Sequence, residues 1–137
     1  MPNDRIAGGE ITQLEGESVL TIERIQSGPR MSQVVIHNKT VYLSGQVSEV
    51  ARGKNVTVQT TEILASIDRL LAAAKTDKSR LLSATIWLTD MSTFSEMNKV
   101  WEAWVTPGAA PARATVTSAQ LAAKDFKIEI AVIAAQA

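Results

Sequence analysis

Hydrophobic residues recur along this chain in two rhythms, and the switches between them outline its elements. Between residues 57 and 75, Ile63, Leu64, Ile67, Leu70, Leu71 and Ala74 fall at intervals of three and four. That spacing lines them along one side of a helix. From 81 to 89 the rhythm drops to two: Leu82, Ala84, Ile86 and Leu88 point one way, and Ser83, Thr85, Trp87 and Thr89 the other. This predicts a strand covered on at least one face. The helical rhythm returns with Phe94, Met97, Trp101, Trp104 and Val105. Thr93, with Glu96 three positions on, reads as a capping box opening this second helix, and Pro107-Gly108 closes it.

The flanking segments read as strands. Val19, Thr21, Glu23 and Ile25 alternate over 18–25, and Ser27-Gly28-Pro29 makes a turn. Runs at 33–37 and 40–47 flank Asn38-Lys39, a pair that suits a tight hairpin, though less well than Asn-Gly. Two closing strands, 112–118 and 127–135, are joined through 119–126. Strands, helix, strand, helix, strands: this order predicts an α+β fold, one mixed sheet with two helices over one face. Val35, Trp87 and Ile133 then fall on the uncovered face. A bare apolar sheet face implies a partner, and we expect a homo-oligomer. Residues 1–17, with Gly8, Gly9, Gly16 and few large apolar side chains, read as a flexible arm ahead of one domain over 18–137.

Composition narrows the chemistry. The 137 residues suffice for one domain with a substantial core. With no cysteine there is no thiol nucleophile, thiolate zinc site or iron–sulfur cluster, and a single histidine, His37, excludes a multi-histidine metal site within one chain. We expect no metal or organic cofactor. Fourteen basic residues balance fourteen acidic ones, so the broad positive field that draws nucleic acid is missing, and no nucleic-acid partner is expected. No apolar run approaches the ~20 residues of a membrane span. The first residues, Met1-Pro2-Asn3-Asp4-Arg5, lack a signal-peptide pattern. The expectation is a cytoplasmic protein without membrane contact.

Four places carry candidate chemistry. Arg113 shares one face of its strand with Thr115 and Thr117, among small residues that offer it few partners. Its planar fork can grip a carboxylate with two bonds, or it can form a structural ion pair at a sheet edge or subunit contact. Glu129, with Ala131 and Ile133, lines one face of a strand that is largely apolar on both faces. Desolvation there would raise its pKa, as a general acid or base near neutrality requires. The alternative is an exposed strand start or a pair with a nearby lysine or arginine. Asn98 falls within the apolar stripe of the second helix and needs a partner, a substrate or, as we favour, a loop carbonyl. Ser44-Gly45-Gln46 places a glycine inside a strand pattern, which marks a bulge, a close backbone approach to a ligand, or simple packing. Nothing supports Ser44 as a nucleophile. His37 reads as a surface residue, and the three tryptophans as core or interface anchors.

Taken in order, these stretches resemble the Rid family, the reactive intermediate deaminases, also called YjgF proteins. Tyr42-Leu43-Ser44-Gly45-Gln46-Val47 is similar to its first signature. Pro111-Ala112-Arg113-Ala114-Thr115-Val116, followed by Lys127-Ile128-Glu129-Ile130, resembles its closing one. Thr85-Ile86-Trp87-Leu88-Thr89-Asp90 and the helix around Phe94, Met97-Asn98 and Trp101-Glu102-Ala103-Trp104 fit between them, so the likeness covers about residues 19–135. The resemblance implies a chorismate-mutase-like fold, a homotrimer with clefts between subunits, and hydrolysis of 2-imino and 2-enamino acids to 2-keto acids and ammonia. It implies that Arg113 binds the substrate carboxylate and Glu129 activates water. Ser44, Gly45, Asn98 and Thr115 would line the pocket. Met31 stands where family members usually carry a tyrosine, and Thr115 where a cysteine is frequent. The link between Arg113 and Glu129 is one residue longer, and the N-terminal arm is extra. A non-catalytic trimer that binds a small carboxylic acid is the second expectation. RNA cleavage is a third, against which the zero net charge and the lack of a histidine pair both weigh.

Overall fold

The computed structural model describes residues 21–137. The expected arm, and the start of the expected strand at 18–25, lie outside the described residues. The strands are β1 (Glu23–Ser27), β2 (Ser32–His37), β3 (Thr40–Leu43), β4 (Leu81–Leu88), β5 (Ala112–Thr117) and β6 (Ile128–Ala135). The helices are α1 (Val56–Ala73) and α2 (Phe94–Trp104). One sheet runs in the order β1-β2-β3-β6-β4-β5. All neighbours are antiparallel except β4 and β5, which are parallel with α2 in their crossover. The last strand of the chain therefore lies in the middle of the sheet, and the strand that carries Arg113 lies at its edge.

Strand alternation sorts the sheet into two faces. Val34, Ile36, Val41, Leu43, Ala84, Ile86, Leu88, Ile128, Ile130, Val132 and Ala134 are buried on the face covered by the helices. α1 meets them with Ile63, Leu64, Ile67, Leu70 and Leu71, its stripe as spaced in the sequence. α2 is shorter and buries Met97 and Trp101. The opposite face carries Val35, Tyr42, Ile133 and Ser83 in one register row, with Trp87 beside Glu129 two rows along. These residues are part-exposed, as the pattern predicts for an uncovered face. Asn38 and Lys39 both take positive φ, 54° and 62°, which closes the β2–β3 hairpin with the twist its strands need.

Three local expectations need correction. Leu82 does not join the buried row: the register shifts between Leu81 and Ser83, and Leu82 is turned outward while Leu81 is buried. A bulge inserts one residue and resets the alternation, which a period-two reading cannot see. The run at 40–47 pairs as a strand only to Leu43, then rejoins the sheet at one bridge, Gln46 to Ile130. Thr93 and Glu96 form no capping box. Asp90 caps a short 3-10 turn ahead of α2 by accepting from the Ser92 amide at 2.9 Å, and the Thr93 hydroxyl donates to the Asp90 carbonyl.

Candidate functional site

β6 sets Glu129 into the sheet. Ile128 and Ile130 point into the core on either side of it, so strand geometry sends Glu129 to the uncovered face, next to Trp87 of β4. Its carboxyl lies flat against Gly45: a Cβ built there would stand 1.9 Å from Glu129 Oε2. Only glycine leaves room for this approach. The bridge between Gln46 and Ile130 brings the two segments together, with paired backbone hydrogen bonds of 2.8 and 3.1 Å. Among the described residues Glu129 makes no ion pair and no side-chain hydrogen bond. The expected alternative of a lysine or arginine partner is therefore not realised. Burial pushes its pKa up from the ordinary carboxylate value.

Arg113 stands on the other side of the sheet. It is in register with Ala84, as Thr115 is with Ile86, so both face the helices. There the Arg113 guanidinium lies over the Trp101 ring, with Cζ 5.4 Å from the centroid, and over the Phe94 ring at 5.9 Å. It too forms no ion pair and no side-chain hydrogen bond among the described residues, so an ion pair within the chain does not account for it. Burial lowers its pKa from the ordinary arginine value, and the charge of nearby Glu102 partly offsets that.

The structure groups the remaining candidates around these two. Thr115 lies two residues from Arg113 on the same face, and its hydroxyl oxygen is buried with no partner. Asn98 is half-buried on α2, four residues after Phe94 and three before Trp101. Its side chain bonds no loop carbonyl among the described residues, where the loop-organising role expected for it is not realised. Ser44 lies beside Gly45, where its hydroxyl donates to Gln33 Oε1 at 2.9 Å. Gln46 Nε2 donates to the same oxygen at 2.8 Å. Met31 is exposed at the β1–β2 turn. His37 is exposed, as its sequence context predicts.

The candidates thus fall on two faces of a single chain. Arg113 and Thr115 lie on the helix-covered face, toward the helix that carries Asn98; Glu129 lies on the open face against Gly45, with Ser44 next in sequence. The sheet separates them, so within one chain Arg113 and Glu129 do not meet. They can act on one small molecule only where the edge of one protomer faces the open sheet face of another. Among the described residues, hollows lie at the Lys39–Lys75 end, beside Gln33, Gln46 and Arg69, and between the helices at Trp104.

The sequence pattern passed over two features. Phe94 and Trp101 read as core stripe, yet both also touch Arg113. Gln59 is fully buried on α1 and donates to the Lys54 and Asp125 carbonyls at 2.9 and 3.0 Å, while its Oε1 accepts from the Lys127 amide at 2.9 Å. A polar residue one turn before Ile63, in the apolar stripe, is the signal that could have found it.

Comparison with known proteins agrees with this architecture. A family model described as Endoribonuclease L-PSP matches residues 21–136. A RutC family protein of Haemophilus influenzae is 44% identical over 115 residues, covering 84% of this chain and 98% of that protein. The RutC family protein YoaB of Escherichia coli K12 is 42% identical over 116 residues, 85% of this chain and 99% of its own. The crystal structure of a YjgF-family protein from Neisseria meningitidis superposes with a TM-score of 0.83 at 39% identity, covering 87% of this chain and 98% of that one.

Proposed function

This chain belongs to the RutC/YjgF family, with its chorismate-mutase-like fold, and from that premise we propose that it is a hydrolytic deaminase of 2-imino and 2-enamino acids. The observation that carries this reading is Arg113, a guanidinium drawn partly out of water whose donors no acceptor among the described residues takes. A partly desolvated arginine with open donors is suited to a ligand anion. A substrate carboxylate would fit its fork with two bonds. Thr115 and Asn98, both without side-chain partners, lie on the same side of the chain.

The assembly we propose is a homotrimer in which Arg113 of one protomer faces Glu129 of the partner subunit across each cleft. Opposite placement on the sheet supports this, since the two groups can share a substrate only between chains. The carboxylate bound at Arg113 then sets the imine carbon before Glu129. Glu129, its pKa raised by burial, takes a proton from water as the water oxygen bonds to that carbon. The C=N electron pair moves to nitrogen, which takes back that proton from Glu129, giving a carbinolamine. Glu129 then takes the hydroxyl proton and passes it to nitrogen; the C–N bond breaks as the hydroxyl oxygen becomes the keto oxygen, and ammonia leaves. Glu129 ends in its starting state, and water is the only co-reactant.

The test is Arg113→Ala, assayed on an imine generated in situ from an amino acid. Losing one side of a charged, partly buried contact costs about 3 kcal/mol, so activity should fall roughly a hundredfold. Hydrolysis at the wild-type rate by this variant would refute the assignment.

A second reading is a trimer that binds a small carboxylic acid without turning it over. Met31 favours it, because a thioether cannot donate the hydrogen bond a tyrosine hydroxyl would supply. Binding of 2-ketobutyrate by the wild type, with no acceleration of imine hydrolysis, would decide for this reading.

A further inference from the structure

We infer that Phe94 and Trp101 are positioning residues for the carboxylate-binding arginine, holding Arg113 by its flat face so that its N–H edge stays open to a ligand. The inference rests on the reading of Arg113 just given. A guanidinium can be fixed in two ways. Acids and carbonyls can grip its edge, which uses up the donors. Aromatic rings can stack on its face, which leaves them free. Arg113 has no acceptor on its nitrogens among the described residues, and two rings lie within 6 Å of Cζ, as the second way requires. Glu102, the acid whose charge it feels, is exposed and forms no ion pair with it.

Both rings come from α2. They are seven residues apart, two turns of helix, and so point the same way. They differ in setting. Trp101 is 5% exposed and packs against Trp104, ring centroids 5.4 Å apart, and the Trp104 indole N–H donates to Asp68 Oδ2 at 3.0 Å. This makes Trp101 a fixed platform. Phe94 is 38% exposed, and its ring centroid lies 5.9 Å from Arg113 Cζ. Packing beside the two rings takes the guanidinium partly out of water, which strengthens its pull on an incoming carboxylate. An acid in their place would neutralise it and compete with substrate.

Phe94 is the residue to test, because its exposure separates the ring from the core. Phe94→Leu keeps an apolar side chain and removes the ring, and Phe94→Tyr keeps the ring. KM and kcat would be measured on an imine made in situ, Kd for 2-ketobutyrate by calorimetry, and thermal midpoint on the same samples. Phe94→Leu should raise KM and Kd about two- to fivefold, more than it lowers kcat, with an unchanged thermal midpoint. Phe94→Tyr should restore both. Wild-type binding by Phe94→Leu, or equal loss in Phe94→Tyr, overturns the inference and leaves the assignment of Arg113 standing. Failure of the wild type to bind 2-ketobutyrate overturns that assignment and this inference with it.

Discussion

Glu129 is placed where its charge works against the fold. Burial disfavours the ionised form in the native state and raises its pKa there. The native protein therefore takes up its proton at higher pH than the unfolded chain does. The penalty is absent below the unfolded carboxylate value of about 4.3, grows as pH rises through the native pKa, and is complete above it. Glu129→Gln should accordingly raise the thermal midpoint at pH 7, and the gain should vanish near pH 4, in melts across that range. The same substitution should cut imine hydrolysis at least about a hundredfold. A residue whose removal stabilises the fold and abolishes activity is held for chemistry. The sequence showed that Glu129 lies on an apolar strand and that Gly45 interrupts another. It did not show that one fits over the other, because a single bridge between distant segments makes that contact.

At the scale of elements, the long helix and the central strands were legible, and the places where backbone geometry departs from strict periodicity were not. A bulge at Leu82 and a 3-10 turn before α2 each shift the pattern by a residue or two, leaving side-chain types unchanged. Polar residues inside apolar stripes were visible but ambiguous. Asn98 and Gln59 give the same signal; one is unengaged and the other ties three backbone groups. Those bonds fasten the segment entering β6 to the start of α1, two residues before Glu129. Gln59→Leu would leave a backbone N–H and two carbonyls short of a partner in the interior. We expect a loss of about 2–4 kcal/mol, read as a lower denaturant midpoint at unchanged slope. A midpoint within error of the wild type would show that this clamp is dispensable.

At the scale of the molecule, the uncovered sheet face was readable from Val35, Trp87 and Ile133, and the structure adds Tyr42, 44% exposed, to the same surface. Also legible were Arg113 and Glu129 as charged groups set into strands of mostly small or apolar residues. Which face each occupies was not, since alternation within a strand fixes relative orientation and the sheet's order decides the rest. β5 runs parallel to β4 at the edge, and this turns Arg113 toward α2 while Glu129 faces away. One chain thus carries both groups on opposite faces of its sheet. Under the function proposed above, each substrate would need an arginine from one protomer and a glutamate from the next.

Mixing two disabled subunits tests this directly. Arg113→Ala and Glu129→Gln, each purified alone, should be nearly inactive on an in situ imine. Co-expressed and recovered as mixed oligomers, they should regain a substantial fraction of wild-type activity, because some clefts then pair an intact Arg113 with an intact Glu129. Mixed oligomers as inactive as their parents would contradict a site shared between chains.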